Sequence, residues 1–183
     1  MIEIGIAVIA GLILIWVAAA YNGLVRGNNM VKEGWSGIDV QLKRRYSLIP
    51  NLIESVKGYM GHEQKLMMDL TELRGKCMKA QTVEEKAKAE GELSRSLVSL
   101  FALAENYPNL RASENFINLQ QELSKTEDEL QMARRYYNGT VRNFNISVES
   151  FPANIIANMF HFMKAAFFEI ENAEERETPK VKF

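Results

Sequence analysis

Histidine and carboxylate side chains are the residues of this sequence whose chemistry could support a metal centre. In a helical bundle, a pair of iron ions needs Glu-x-x-His on two helices and two further inward-facing glutamates. The sequence has two histidines, His62 and His161, and neither has a glutamate three residues before it. The histidine pattern therefore argues against a di-metal site.

Other catalytic patterns are absent from the sequence as well. It contains no Gly-x-Ser-x-Gly elbow, no glycine-rich phosphate loop and no dinucleotide fingerprint. Cys77 is the single cysteine, so one chain can form neither an internal disulfide nor a thiolate metal cluster. A lone cysteine is more often a small buried apolar residue than a nucleophile. We expect no catalytic site, no metal and no cofactor.

Charged residues within apolar helical stripes are more informative. Glu63 falls on the stripe of one predicted helix, while Glu127 and Arg134 flank the stripe of another. A buried charge is costly unless it is paired. We therefore predict inter-helix ion pairs that fix the helix register, drawn from Glu63, Arg74, Glu105, Glu127 and Arg134. The alternative is that each charge is exposed beside its stripe.

Composition predicts an all-α chain. Strong helix formers dominate, 4 Pro and 11 Gly interrupt them, and no stretch alternates as a sheet strand does. Basic and acidic residues number 22 and 23, so there is no electrostatic reason to expect a nucleic-acid partner. The predicted architecture is an N-terminal transmembrane helix followed by an antiparallel bundle of long helices.

The membrane anchor is predicted from residues 4–20, which include no charged side chain. At about 1.5 Å per residue, this run and residues 1–3 roughly match a hydrocarbon core of about 30 Å. A cleaved signal peptide is the alternative, because three alanines at 18–20 resemble a cleavage site, but no basic residue precedes the run. The anchor is assigned to residues 1–21, with membrane contacts at Ile4, Ile6, Val8, Leu12, Leu14, Trp16, Val17 and Tyr21.

Charge asymmetry around the anchor predicts its orientation. Arg26 and Lys32 follow the apolar run closely, whereas Glu3 precedes it. Because positively charged flanks stay in the cytoplasm, we expect the N-terminus outside and the rest of the chain in the cytoplasm.

Two helices are predicted between the anchor and residue 77. Apolar residues at spacings of three and four mark one face of a helix over 31–46. Ser47 can cap a helix, and Pro50 would lie in its first turn. We therefore expect a kink or a new helix to begin at Ser47 and to continue as far as Cys77.

Two further helices follow. Thr82 and Glu85 form a capping-box sequence, so a third helix begins there and must stop near Pro108. A fourth helix begins near Ser113 and carries an unbroken apolar seam as far as Val148. Its length requires at least one partner helix of similar length.

The C-terminal part is unusually apolar. Residues 153–170 hold more large apolar side chains than one face of a short helix can bury. They are expected to fold onto the domain as a terminal helix, to contact another subunit, or to lie in the membrane interface. The proposed contact residues are Ile155, Ile156, Met159, Phe160, Phe162, Met163, Phe167 and Phe168. Residues 169–183 are predicted to be a charged flexible tail, which leaves 22–168 as the bundle domain.

Short sequence blocks also occur in order along the chain. They are YNGLV at 21–25, IDVQLKRR at 38–45, LIPNL at 48–52, HE at 62–63, ENYP at 105–108, LQQEL at 119–123, ARRYYN at 133–138, Asn145, and FP at 151–152. In these blocks the sequence resembles the LemA family over almost its whole length. Ser47 departs from the family, which often has Asp there, but both residues cap helices.

The resemblance implies a bacterial inner-membrane protein with a membrane-proximal helical domain and no established activity. The family includes a member linked to the magnetosome membrane. We therefore expect a non-enzymatic scaffold or membrane-organising protein, whose copies self-associate through the C-terminal segment. The alternative is an adaptor that binds a membrane protease, transporter or envelope-signalling partner through the Tyr107–Pro108 loop or the C-terminal segment. The expected partners are thus the lipid bilayer, further copies of the chain and, for an adaptor, a membrane protein.

Overall fold

The structure, a computed structural model, describes residues 1–61 and 63–169. Over these residues the chain forms six helices and no β-strand. The helices are α1 (Ile2–Lys57), α2 (Gln64–Lys79), α3 (Val83–Ala104), α4 (Pro108–Arg111), α5 (Glu114–Glu149) and α6 (Ala153–Met159). The predicted all-α fold with a long apolar N-terminal helix is confirmed.

Helix α1 continues through Ser47 and Pro50, where the sequence predicted a kink or a new helix. The prediction of a new helix was wrong, because a tertiary contact replaces a missing backbone bond. Pro50 has no N–H to donate to the carbonyl of Tyr46, four residues earlier. The Nε atom of Arg74 donates to that carbonyl oxygen instead, at 2.8 Å.

The second predicted helix is divided between α1 and α2. Helix α1 ends at Lys57 and α2 begins at Gln64. Gly58 and Gly61 lie in the connection, and glycine is among the least favourable residues for continuing a helix. Met60 is buried in this connection, which ties it to the core.

The third and fourth predicted helices are confirmed. The hydroxyl of Thr82 accepts a hydrogen bond from the N–H of Glu85 at 3.1 Å, and the Glu85 carboxylate accepts from the N–H of Thr82 at 3.4 Å. This capping box begins α3, which ends at Ala104. Helix α5 then covers Glu114–Glu149.

The chain folds into two compact units. The first unit comprises Met1–Asp39 and Met132–Phe167, and the second comprises Val40–Gln131 with Phe168 and Glu169. The single bundle domain predicted for residues 22–168 stays a prediction. The rest of the predicted tail, residues 170–183, lies outside the described residues.

The second unit is built from parts of α1 and α5 together with α2, α3 and α4. Each of its long helical segments buries one face, which places a continuous apolar core between them. The connections around α2 are short, as expected for antiparallel neighbours. Fully buried core residues include Leu42, Ile49, Leu52, Leu70, Leu93, Leu100, Leu110 and Leu130.

The first unit is centred on the packing of α1 against α5. A Cβ atom added at Gly34 would lie 3.1 Å from the Cα atom of Tyr137. A Cβ atom added at Gly27 would lie 3.0 Å from the ring of Phe144. Residue numbers fall along α1 as they rise along α5, so the two helices are antiparallel here. The glycines allow the two helices to approach closely.

Helix α6 is shorter than the terminal helix expected over 153–170. It ends at Met159, and His161 adopts the left-handed backbone conformation with φ of 57°. The N–H of Phe162 donates to the carbonyl of Ala157 at 2.9 Å, and the N–H of His161 donates to that of Asn158 at 3.3 Å. This pair of bonds is a Schellman ending, which satisfies the last carbonyls and turns the chain away from the helix axis.

Replacing Gly34 by Ala tests the close approach of the two helices. We expect Gly34→Ala to lower the melting temperature of the full chain in detergent, because the new methyl group meets the backbone of Tyr137. Gly37→Ala is the matched control. No atom lies within 4 Å of its added Cβ, so higher helix propensity should stabilise the chain by about 1 kcal/mol. Equal shifts in circular-dichroism melting for both variants would contradict the packing described.

Candidate functional site

The N-terminal part of α1 exposes its apolar side chains. No residue of 1–20 is buried, and α1 is the one helix of the described residues that is long and apolar enough to cross a membrane. The predicted anchor contacts are exposed at Ile4, Ile6, Val8, Leu12, Leu14, Trp16 and Tyr21, and Val17 is half-buried. The first buried residue of α1 is Leu24, which is 1% exposed. Packing therefore begins within one helical turn of the predicted anchor.

The segment after α6 is held in place by α5. The Nδ2 atom of Asn145 donates to the carbonyl of Ala165 at 2.9 Å, and its Oδ1 atom accepts from the N–H of the same residue at 2.9 Å. The hydroxyl of Tyr137 donates to the carbonyl of Ala166 at 2.8 Å. Two side chains of α5 thus satisfy backbone groups of a segment that is not helical.

Aromatic contacts bring this segment to the end of the predicted anchor. The ring centroid of Tyr21 lies 4.7 Å from that of Phe160 and 5.9 Å from that of Phe162. Phe162 also contacts Phe144 of α5, with centroids 6.5 Å apart. Phe162 therefore packs between the two long helices of the first unit.

The eight proposed contact residues of the C-terminal segment divide into three groups by exposure. Ile156 and Phe168 are buried within the chain, at 3% and 0% exposure, and have no surface to offer a partner. Phe162 is half-buried, as described above. The remaining five are exposed, and for these the predicted contact with another subunit or the membrane stays open: Ile155, Met159, Phe160, Met163 and Phe167.

A second candidate site is a buried polar cluster in the second unit. The guanidinium of Arg45 lies 3.2 Å from a carboxylate oxygen of Glu90, 3.2 Å from one of Glu127, and 2.8 Å from the hydroxyl of Ser94. The side chains of Arg45 and Glu90 are 6% and 0% exposed. Arg45 of α1 thereby connects α3 and α5 through charge-assisted contacts.

The Glu90 carboxylate also accepts a hydrogen bond from Tyr46 and raises the pKa of two neighbouring groups. The hydroxyl of Tyr46 donates to its second carboxylate oxygen. Burial raises the pKa of Tyr46, and the Glu90 carboxylate raises it further. Burial and then Glu90 likewise raise the pKa of the Cys77 thiol. Because the thiolate is the nucleophilic form, Cys77 is placed as an inert core residue.

The five residues predicted to form a polar network lie in different settings. Glu127 pairs with Arg45, Glu63 accepts from the Tyr107 hydroxyl at 2.6 Å, and Arg74 donates to the Tyr46 carbonyl. Glu105 forms a surface ion pair with Arg111 at 2.8 Å, and Arg134 is half-buried on α5. Of these five residues, Glu127 shares its partner Arg45 with Glu90. The role of the five as one network stays a prediction.

Sequence reasoning missed Arg45 and Glu90, the two charges at the centre of the cluster. The signal was present for Glu90, since it lies three residues after Ala87 and three before Leu93 on the buried stripe of α3. Arg45 similarly lies three residues after Leu42 and four before Ile49. Charges at core positions of two helices are the pattern of a buried pair.

Comparison with known proteins decides the family. A sequence model of the LemA family matches residues 34–183. The chain belongs to the LemA family. Its Asn145, Tyr137 and Arg45, whose contacts hold the C-terminal segment and the polar cluster, all lie inside the region that matches the LemA family.

Individual relatives agree with this assignment. Protein LemA of Metamycoplasma hominis is 28% identical, over 84% of this chain and 70% of the relative. Magnetosome protein MamQ 2 of Paramagnetospirillum magneticum is 22% identical, over 81% of this chain and 64% of the relative. Magnetosome protein MamQ of Magnetospirillum gryphiswaldense is 19% identical over the same shares. The LemA-family chain thus spans somewhat less than two thirds of the magnetosome proteins it matches.

Removing the central carboxylate tests whether the polar cluster stabilises the fold. Glu90→Gln removes the fully buried counter-charge of Arg45 and leaves only the partly exposed Glu127 beside it. We therefore expect a loss of about 3 kcal/mol in the free energy of unfolding. The measurement is urea unfolding of the full LemA-family chain in detergent.

The control for this experiment uses the neighbouring arginine. Arg44 pairs with Glu122 at 2.8 Å, and both side chains are substantially exposed. Glu122→Gln should therefore cost about 1 kcal/mol or less. Equal losses for the two variants would show that the buried cluster does not stabilise the fold in the way described.

Proposed function

We propose that this protein is a membrane-anchored, non-enzymatic helical scaffold whose copies associate side by side in the bilayer. The observation that carries the proposal is the short distance along α1 between the exposed apolar run and Leu24, the first buried residue. Since no flexible linker intervenes, the anchor would hold the first unit directly at the membrane surface.

Charge supports one orientation of the anchor in the membrane. Arg26 and Lys32 lie on the folded side of the apolar run, and Glu3 lies on the other. Basic residues flanking a span remain in the cytoplasm. We therefore place the anchor in the bacterial inner membrane, with the N-terminus outside and the folded part in the cytoplasm.

A structural role agrees with the chemistry of the buried polar groups. Arg45, Glu90, Tyr46 and Ser94 are paired with one another, and the Glu90 side chain at the centre of the cluster is 0% exposed. Among the described residues there is no group of three or more His, Cys, Asp and Glu side chains able to hold a metal ion. Two relatives carry the name magnetosome protein, which supports a role in a cellular structure rather than in a reaction.

The outer face of α5 offers a surface for self-association. Met132, Tyr136 and Ile146 are 54%, 49% and 55% exposed, and their spacing of four and ten residues places them on one side of the helix. Copies anchored in the same bilayer would meet side by side, which would bring such faces together. Burying these side chains between two chains would contribute favourable apolar contact.

The mass of the full chain in mild detergent, measured by light scattering over a concentration series, tests this proposal. We expect an assembly of several copies that dissociates when Met132 and Ile146 are both replaced by Lys. The control is Val98→Lys, since Val98 is 68% exposed but lies on α3 in the second unit. A monomer at every concentration would contradict the scaffold.

An adaptor is the alternative, and one feature favours it. The loop between α3 and α5 is preformed: the Tyr107 hydroxyl donates to Glu63, Leu110 is buried, and Arg111 pairs with Glu105. A rigid loop of this kind suits recognition of one membrane protein, such as a protease or transporter. An adaptor predicts a monomer in the mass measurement and a stoichiometric complex with a different protein.

A further inference from the structure

The exposed apolar residues around α6 form a surface that the packing of the first unit leaves uncovered. We define the α6 patch as Phe151, Ile155, Met159, Phe160 and Met163, which are 81%, 52%, 62%, 48% and 80% exposed. Large apolar side chains clustered on one surface mark a contact with a partner or a membrane. The position and charge of the patch show which of these it fits.

The antiparallel pairing of α1 with α5 determines which residues of α1 lie beside the α6 patch. Between Gly34 and Gly27 the contact moves seven residues along α1, and it moves seven residues along α5 from Tyr137 to Phe144. Five residues further, the end of α5 at Glu149 lies level with Asn22. Helix α6 follows within four residues, so it lies at the level where the predicted anchor ends.

Aromatic contacts independently place the segment around α6 beside the end of the predicted anchor. The rings of Phe160 and Phe162 pack on Tyr21, the last residue of the predicted anchor. Phe160, a residue of the α6 patch, therefore adjoins the exposed apolar surface of α1 that precedes Tyr21. Tyr is also a residue that favours the boundary between hydrocarbon and headgroups.

The charge of the segment suits a bilayer surface. Between Glu149 and Glu169 there is no acidic residue, and the basic side chains in that interval are His161 and Lys164. Lys164 pairs with Glu149 at 2.7 Å and is more than half exposed, next to Met163. Anionic headgroups would meet no carboxylate from residues 150–168, and the exposed polar side chain of Asn158 suits the hydrated boundary.

We propose that the α6 patch inserts into the headgroup boundary of the bilayer, so that the chain contacts the membrane through a second, interfacial element beside its anchor. The inference rests on the proposed anchor, because the anchor sets the level of the patch. Interfacial helices bury their apolar face about 5–10 Å into the boundary between headgroups and acyl chains. A second copy of the chain is the rival occupant.

Fluorescence quenching in vesicles separates these occupants. The full chain is labelled with the environment-sensitive fluorophore NBD at Met163→Cys, and in a second variant at Met159→Cys. Native Cys77 is fully buried, and the wild-type chain measures its background labelling. The vesicles contain phosphatidylethanolamine and phosphatidylglycerol, with a nitroxide-bearing lipid whose spin label lies near the headgroup.

We expect both labels to lose emission to the nitroxide lipid at every protein-to-lipid ratio, because the patch would lie at the depth of an interfacial helix. Met132→Cys is the matched control. It is 54% exposed on α5 and lies about 25 Å along the helix from Glu149, at about 1.5 Å per residue, so its label should not be quenched. Unquenched labels at both patch positions would overturn the proposal.

Two further outcomes are diagnostic. Emission shifted to the blue without quenching by lipid, and dependent on the protein-to-lipid ratio, would assign the patch to a second copy and overturn the proposal. A label at Leu12→Cys reports the anchor separately, through quenching by a nitroxide near the bilayer centre. An unquenched Leu12 label contradicts the anchor itself, whereas a quenched Leu12 label with unquenched patch labels contradicts only the interfacial contact.

Discussion

This structure depends on the position along α1 at which the helix begins to pack against the rest of the first unit. Leu24 is buried one turn after an apolar run in which no residue is buried. Because α5 pairs with α1 in a fixed antiparallel register, the end of α5 and the whole of α6 take their positions from that start. Asn145 then ties the following segment back to α5, which keeps Phe162 against Tyr21. The exposed apolar surface of the first unit is a consequence of these contacts.

Buried charge has the corresponding role in the second unit. Arg45 reaches Glu90 of α3 and Glu127 of α5, and its neighbour Tyr46 donates to Glu90 while its own carbonyl accepts from Arg74 of α2. Apolar packing alone tolerates many arrangements of similar helices, whereas a buried ion pair is costly in any arrangement that separates it. The cluster therefore favours one register of these four helices over arrangements that would separate Arg45 from Glu90.

Features encoded locally could be predicted from the sequence, and features set by distant contacts could not. The capping box at Thr82 and the end of α3 before Pro108 depend on neighbouring residues, and both were predicted. The passage of α1 through Pro50 depends on Arg74, and the short α6 depends on His161 and on Asn145 from α5. The break at Gly58 was hidden because the apolar stripe stays in register across it. Glu90 was recognisable on its stripe, but its partner on another helix was not.

Resistance to extraction tests most directly whether the first helix makes this chain an integral membrane protein. Membranes from bacteria producing the full chain would be washed with alkaline carbonate, which releases peripheral proteins. The account predicts that the chain stays in the membrane, and that Leu12→Arg with Leu14→Arg releases it, since each arginine costs about 2.5–3.5 kcal/mol near the bilayer centre. Arginine at the exposed positions Met68 and Val98 should leave it in place. Release of the unaltered chain would contradict the account.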